Sequence, residues 1–425
     1  MQRLNYSSAI EDLESRILMP PGVPSLSPMQ EGIKRLGNLK WDPKKIIIVA
    51  GTNGKGSVCA SLEALLLSAG QKVGLYTSPH LEETTERIRL NGEMISKELF
   101  YEIYCEVQKR TVDLNLSHFE MLTLMAVWAF FCRNQCSLDW AIFEVGLGGT
   151  WDATNAIPHH YCVITSLGMD HENLLGHSIQ EIASNKFGII HQKTTVIHTA
   201  FPEGIQTLAD QTCTQTQSRW RESISFHFQV EETESDPLFI LETEWGRTPL
   251  SLPGNRGCQN AATALTVFHE LGFDPKKYLK SLSQVHWPGR MERVDYPQIP
   301  LPIYYSGDHN PQGIESLIEL LKYYKKKHLH ILVGIGKDKN LNGILEPLFA
   351  LSETSIYLTE TSFRELPLEN YGHWLKQAMG AWKNPLEALN QMILRSKPND
   401  RILVTGSLYL VGFLKHEMKS KFIAG

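Results

Sequence analysis

The chain has 425 residues, of which 42% are hydrophobic and 20% charged, with a formal net charge of -5. That size and balance suit a globular protein of two or three domains with a sizeable core. The acidic surplus argues against a general nucleic-acid binder, so an anionic substrate would have to be met by local arginines.

Glu11, Asp12 and Glu14 stand near the N-terminus, which shows no apolar signal core. Ile46–Val49 reads as a buried strand running into a glycine-rich turn, and Val58–Ala69 as a helix stopped by Gly70. Val73–Tyr76, Trp140–Val145 and Cys162–Thr165 read as further strands. The longest apolar run, from Met121 to Cys132, is shorter than the roughly 20 residues that span a bilayer and reads as a buried helix. Cys59, Cys105, Cys132, Cys136, Cys162, Cys213 and Cys258 form no CxxC pair, as expected of reduced thiols in a cytoplasmic protein. Residues 203–248 are more polar, with an acidic run at Glu231, Glu232, Glu234 and Asp236, and are expected as a peripheral β element, with a merely solvated face as the alternative. His286-Trp287-Pro288-Gly289-Arg290 is a candidate hinge. After it come Ile303–Tyr305, a helix from Pro311, and strands at His330–Val333, Ser355–Leu358 and Arg401–Val404. The expectation is an α/β protein with domains at 1–287 and 288–425. In such folds ligands meet the carboxyl ends of the parallel strands.

The strand Ile46–Val49 leads into Ala50-Gly51-Thr52-Asn53-Gly54-Lys55-Gly56-Ser57. Glycines let such a turn aim its N–H groups at phosphate oxygens, and the following helix adds a partial positive charge. Lys55 can reach terminal phosphates, and the Ser57 hydroxyl can bind magnesium. One glycine separates the lysine from the hydroxyl, which departs from the plain GxxxxGK[ST] pattern.

Gly51 to Ser57, GTNGKGS, resembles the ATP loop of the bifunctional dihydrofolate synthase/folylpolyglutamate synthase family and, more loosely, that of the Mur peptide ligases. An ordered series extends the resemblance over most of the chain. It runs through Thr77-Ser78-Pro79-His80-Leu81, Glu86-Arg87-Ile88 and Glu144-Val145-Gly146-Leu147-Gly148-Gly149. It continues through Asp152-Ala153-Thr154-Asn155, Asp170-His171, Trp287-Pro288-Gly289-Arg290, His309-Asn310-Pro311 and Thr405-Gly406-Ser407-Leu408-Tyr409-Leu410.

The resemblance implies a P-loop, Mur-ligase-like central ATPase domain with a smaller Rossmann-like α/β C-terminal domain. It implies a monomeric, cytoplasmic ligase, acting without nucleic acid or membrane, that uses ATP to join glutamate to dihydropteroate or a reduced folate through an acyl phosphate. Thr52, Asn53, Gly54, Lys55, Gly56, Ser57, Asn260, Arg290 and Ser306 would hold the nucleotide. Ser57, Ser78 and Glu144 would hold one magnesium. His171 would hold a second, together with a carbamylated Lys186. His309 would face glutamate or phosphate, and Lys55, His171, Lys186 and His309 would carry the chemistry. Ser117, Phe119 and Asp152 would line the pteridine pocket.

The pattern breaks at several places. Thr150 and Trp151 stand where the family has arginine and leucine, and Asn185-Lys186-Phe187 where it has Glu-Lys-Ala. Arg256 stands for histidine, Ser306 for aspartate and Asp308 for alanine. A ligase for another carboxylate, and a silenced paralogue that binds nucleotide or folate, are the alternatives.

Overall fold

The five residues of β1 (Ile46–Ala50) are all buried, so the sheet they enter is covered on both faces. The structure is a computed structural model describing residues 5–17, 24–37, 39–132, 137–233, 235–324, 327–361, 363 and 366–422. Cys136 and Glu234 lie outside the described residues.

With β1 run β2 (Val73–Tyr76), β3 (Ile88–Leu90), β4 (Glu93–Met94), β5 (Trp140–Glu144), β6 (Tyr161–Ile164), β7 (Thr195–His198) and β8 (Arg219–Glu222). They form one sheet in the order β4-β3-β2-β5-β1-β6-β7-β8. The β2–β3 and β3–β4 pairs are antiparallel and the others parallel. Strand β1 is flanked by β5 and β6, with Val49 opposite both Glu144 and Val163. The carboxyl ends of three central strands therefore open side by side, where a crevice forms. Successive side chains of a strand point to opposite faces. Accordingly Ile46, Ile48 and Ala50 join one core with the helix His118–Phe131, while Ile47 and Val49 join another with the helix Lys55–Ser68.

The segment 203–248 contains the expected peripheral β element and more besides. It holds a helix, Gln206–Thr216, and β8 extends the main sheet. Only β9 (His227–Glu231), β10 (Leu238–Thr243) and β11 (Gly246–Leu250) form a separate antiparallel sheet. Its acidic run is not simply solvated: Glu231 meets Arg247 at 3.0 Å and Asp236 meets Arg293 at 3.2 Å.

The third sheet contains β12 (Arg290–Val294), β13 (Ile303–Ser306), β14 (Leu329–Gly334), β15 (Thr354–Thr359), β16 (Gly380–Trp382) and β17 (Arg401–Thr405). Its order is β12-β13-β17-β14-β15-β16, antiparallel only at β12–β13. It carries its own two cores, one through Ile331, Val333 and Leu403, the other through Leu332, Ile402 and Val404. Arg290, placed by the sequence in a hinge, is the first residue of β12. Among the described residues no helix is long and apolar enough to cross a membrane.

Candidate active site

The phosphate loop leaves β1 at Gly51, and the helix begins at Lys55, three residues earlier than the apolar pattern suggested. Gly54 precedes it at φ +90, and a Cβ there would stand 2.4 Å from Asn260 Oδ1. Glycine therefore permits both the turn and the approach of Asn260. The loop is fastened to the segment after β6. Thr52 N–H donates to Ser166 O at 2.7 Å, and the Thr165 hydroxyl donates to Asn53 O at 2.7 Å. Thr52 Oγ1 also exchanges hydrogen bonds with Gly168 O and N at 3.0 and 3.1 Å.

Two lysines converge on this loop. Lys55 Nζ donates to Gly51 O at 3.1 Å and Thr52 O at 3.3 Å. Lys186 lies one residue before the end of the helix Ile179–Phe187 and donates to the same Gly51 carbonyl at 3.0 Å. Lys186 is buried, and that burial, helped by the Lys55 charge, brings its amine down to about 7. A substantial neutral fraction therefore exists near pH 7.

Glu144 ends β5 beside the loop, 4% exposed, and accepts from Ser78 N at 3.0 Å. Burial pushes its carboxyl up, against the pull of Lys55, the Ser78 N–H and Arg290. Ser57 is buried at the start of the helix Lys55–Ser68. The hydroxyls of Ser57 and Ser78 with the Glu144 carboxylate would offer oxygen donors only, which suits magnesium. Nearby, Arg87 is buried and donates from Nε to His80 Nδ1 at 2.9 Å. Burial, then the Arg87 charge, brings His80 down to about 3, so it is neutral.

His171 sits at φ +51, an uncommon conformation for a non-glycine residue, and its N–H is held by Asp170 Oδ1 at 2.9 Å. Burial and then Lys339 bring its imidazole down to about 4, which leaves it neutral and able to ligate a metal. Asp170 is a junction between the first sheet and the second α/β unit. It accepts from Lys339 Nζ at 2.7 Å and Asn310 Nδ2 at 2.8 Å, with His309 Nε2 at 3.7 Å. Burial opposes its charge, but His309, Lys339 and His171 outweigh it and hold the carboxyl well below the usual range. Asn53 adds bonds to Asn310 at 3.2 Å and Gln312 at 2.8 Å. Lys339 and Gln312 were not singled out from the sequence. Lys339 follows the carboxyl end of β14, and that position was the available signal.

Arg290 lies within the field of Asp308 and Glu144, and burial works against its charge. Ser306 donates to Asp308 Oδ2 at 2.6 Å. The residues that the resemblance places at a pteridine pocket are engaged in local structure. Ser117 caps the helix His118–Phe131, and its hydroxyl donates to Glu120 at 2.7 Å. Asp152 accepts from Leu147 N at 2.9 Å, Thr154 N at 3.0 Å and the Thr154 hydroxyl at 2.6 Å. The Phe119 ring covers Gly146, where a Cβ would come within 2.6 Å of it. Thr150 donates from N and Oγ1 to Asn185 O, both at 2.9 Å, and Trp151 is 53% exposed.

A phosphate loop faced across a crevice by a second α/β unit defines an ATP-dependent ligase of the Mur type. Residues 289–408 match the family model described as "Mur ligase, glutamate ligase domain". The chain is 32% identical to the dihydrofolate synthase/folylpolyglutamate synthase of Buchnera aphidicola subsp. Baizongia pistaciae, over 93% of this chain and 92% of that protein. It is 30% identical to the enzyme of the same name from Escherichia coli strain K12, over 92% and 90%. The solved structure of E. coli FolC in complex with DHPP and ADP superimposes with a TM-score of 0.83 at 28% identity, covering 99% of each chain. The Yersinia pestis bifunctional enzyme complexed with AMPPNP and Mn ion gives a TM-score of 0.83 at 27% identity, over 98% of each chain. The chain belongs to the dihydrofolate synthase/folylpolyglutamate synthase family.

Proposed function

We propose that this chain joins L-glutamate to dihydropteroate, to reduced folates, or to both, with ATP as the energy source. A substrate carboxylate oxygen attacks the γ-phosphorus and ADP leaves. The glutamate nitrogen then attacks the acyl carbon, phosphate leaves, and the nitrogen loses its proton. Lys55, Arg290 and the N–H groups of the loop gather the phosphates, and Asn260 fixes the nucleotide. A divalent metal, when bound, supplies charge neutralisation between the two anions. Ser57, Ser78 and Glu144 would hold it, and His171 a second ion. Asp170, Lys339 and Asn310 hold the 1–287 and 288–425 units together around the reacting groups, with His309 facing the incoming glutamate. Keeping water from the acyl phosphate is the benefit of that closure.

Lys186 is proposed to carry a carbamate: its neutral amine would add carbon dioxide and lose one proton, and the two oxygens gained would be able to help hold a second metal. The observation that carries the whole reading is the convergence of Lys55 and Lys186 on the Gly51 carbonyl of the phosphate loop. Phe119 and the turn that Asp152 braces would form the pteridine wall. The loss of a guanidinium at Thr150 favours, as a second reading, a ligase for a different carboxylate, since arginine supplies charge and a bidentate fork. We further propose that the protein acts as a cytoplasmic monomer. Phosphate release from ATP is the deciding assay. Release that requires both glutamate and dihydropteroate or a folate supports the reading. A chain that binds these substrates and releases none is a silent binder.

A further inference from the structure

Three of the residues that leave the family pattern touch one another. Arg256 Nη1 donates to Asp308 Oδ1 at 2.6 Å, and Ser306 Oγ donates to Asp308 Oδ2 at 2.6 Å. Arg256 belongs to the helix Gly254–Glu270, whereas Ser306 ends β13 and Asp308 lies in the turn after it. The same guanidinium donates to Gly313 O at 2.8 Å and Gln312 O at 3.4 Å. Each of these guanidinium bonds thus crosses to the second α/β unit.

These residues line a narrow open cleft whose walls also include Ser57 and Asn260 of the phosphate-loop region. Leu252, Leu317 and Leu320 give the cleft an apolar part suited to a flat base. A carboxylate repels polyphosphate, so the part of a nucleotide that it meets best is the part that offers hydrogen-bond donors. A nucleotide's ribose diol offers two. Each Asp308 oxygen already accepts one bond from the chain, and a carboxylate has about four acceptor sites, so each oxygen can accept another. The Asp308 charge is itself supported, lying within the field of both Arg256 and Arg290.

We propose that Asp308 receives the ribose hydroxyls of the bound nucleotide, and that Arg256 is the positioning residue that sets it there from the opposite side of the crevice. The inference rests on the ATP-dependent reading above and adds to it the group that reads the sugar. It also makes closure of the crevice and sugar recognition one event, because the positioning bond spans the two units.

Calorimetry of the full chain with ADP, 2′-deoxy-ADP and 3′-deoxy-ADP tests it. The unmutated chain is expected to prefer ADP by about tenfold or more over at least one deoxy analogue, the scale of a hydrogen bond to a charged acceptor. Asp308→Ala should reduce that preference to less than about twofold by losing affinity for ADP alone. The double variant Arg256→Met/Asp308→Ala should do the same without leaving the partly exposed Arg256 guanidinium deprived of its carboxylate. Arg256→Met should raise the KM for ATP more than it lowers kcat, and Arg256→Lys should recover part of that loss. An unmutated chain indifferent to the sugar hydroxyls would overturn the proposal, as would an undiminished preference in a folded variant lacking Asp308. A chain that binds no adenine nucleotide would instead sink the ATP-dependent reading itself.

Discussion

At the ends of β1 and β5 the charged side chains have few partners of their own, whereas between 147 and 155 the polar side chains are tied into the chain. Lys55 donates only to backbone carbonyls of its loop, and Glu144 accepts a backbone N–H from Ser78. In contrast, Asp152 is bound by Leu147 and Thr154, and Thr150 by Asn185. In the proposed reaction the first region keeps its charges available for phosphate and metal. The second spends its polar groups on shaping a wall. It follows that substitutions in the first should abolish chemistry, while those in the second should change which substrate is accepted.

The largest effect is expected at Lys55. Lys55→Ala should reduce ligation about 10³-fold, the upper scale for losing one electrostatic catalytic group, with thermal unfolding little changed. A folded variant with parental turnover at saturating ATP would remove the loop from the mechanism. Glu144→Ala and His171→Ala should each cost about two orders of magnitude in turnover. Parental activity in either variant throughout a magnesium titration would exclude that residue from metal binding.

Lys186 offers a pH test of the same region. Its amine titrates near 7, below the ordinary lysine value, so the neutral form grows as pH rises through 7 and is lost below it. A carbamate signal from 13C-bicarbonate should therefore strengthen between about pH 6 and 8, and Lys186→Ala should abolish it. A signal that is flat with pH, or full activity of the alanine variant, would count against the modification.

The strand, turn and helix of the proposed nucleotide end were legible because their signals are local. A buried strand, a glycine turn, a lysine and a helix follow one another within Ile46–Ser68. The strand ends at Glu144 and Ser306 were legible for the same reason. What sequence order hides is contact across the crevice. Asp170 and Lys339 are 169 residues apart and meet at 2.7 Å, and Arg256 and Asp308 are 52 apart. No periodicity encodes such a pairing. The β8 strand was missed because its residues, Arg219-Trp220-Arg221-Glu222, are too polar to stand out at a sheet edge. Lys339→Met should lower kcat/KM by about tenfold, since a charge-assisted bond within the buried junction is lost. Asp170→Asn in the same background should add little further. Additive losses would show that the two residues act separately.

The smallest effect should come from Trp151, and it bears most directly on the contrast between the two regions. This side chain is 53% exposed, beside Asp152 and Thr150, so little folding energy depends on it. A large exposed ring next to a proposed heteroaromatic pocket can stack on a ligand, and aromatic pairs contribute about 0.5–1.5 kcal/mol beyond area burial. Trp151→Ala should thus weaken binding of dihydropteroate or a folate by about twofold to tenfold. The KM for ATP should stay within about twofold, because the loop is fastened to 165–168 and not to the 147–155 wall. Competition assays across pterin-bearing and pterin-free acids would read the change. An equal loss for both classes would mean that Trp151 supports the crevice generally. A loss confined to pterin-bearing acids would make the wall, and not the nucleotide end, the place where this chain selects its carboxylate.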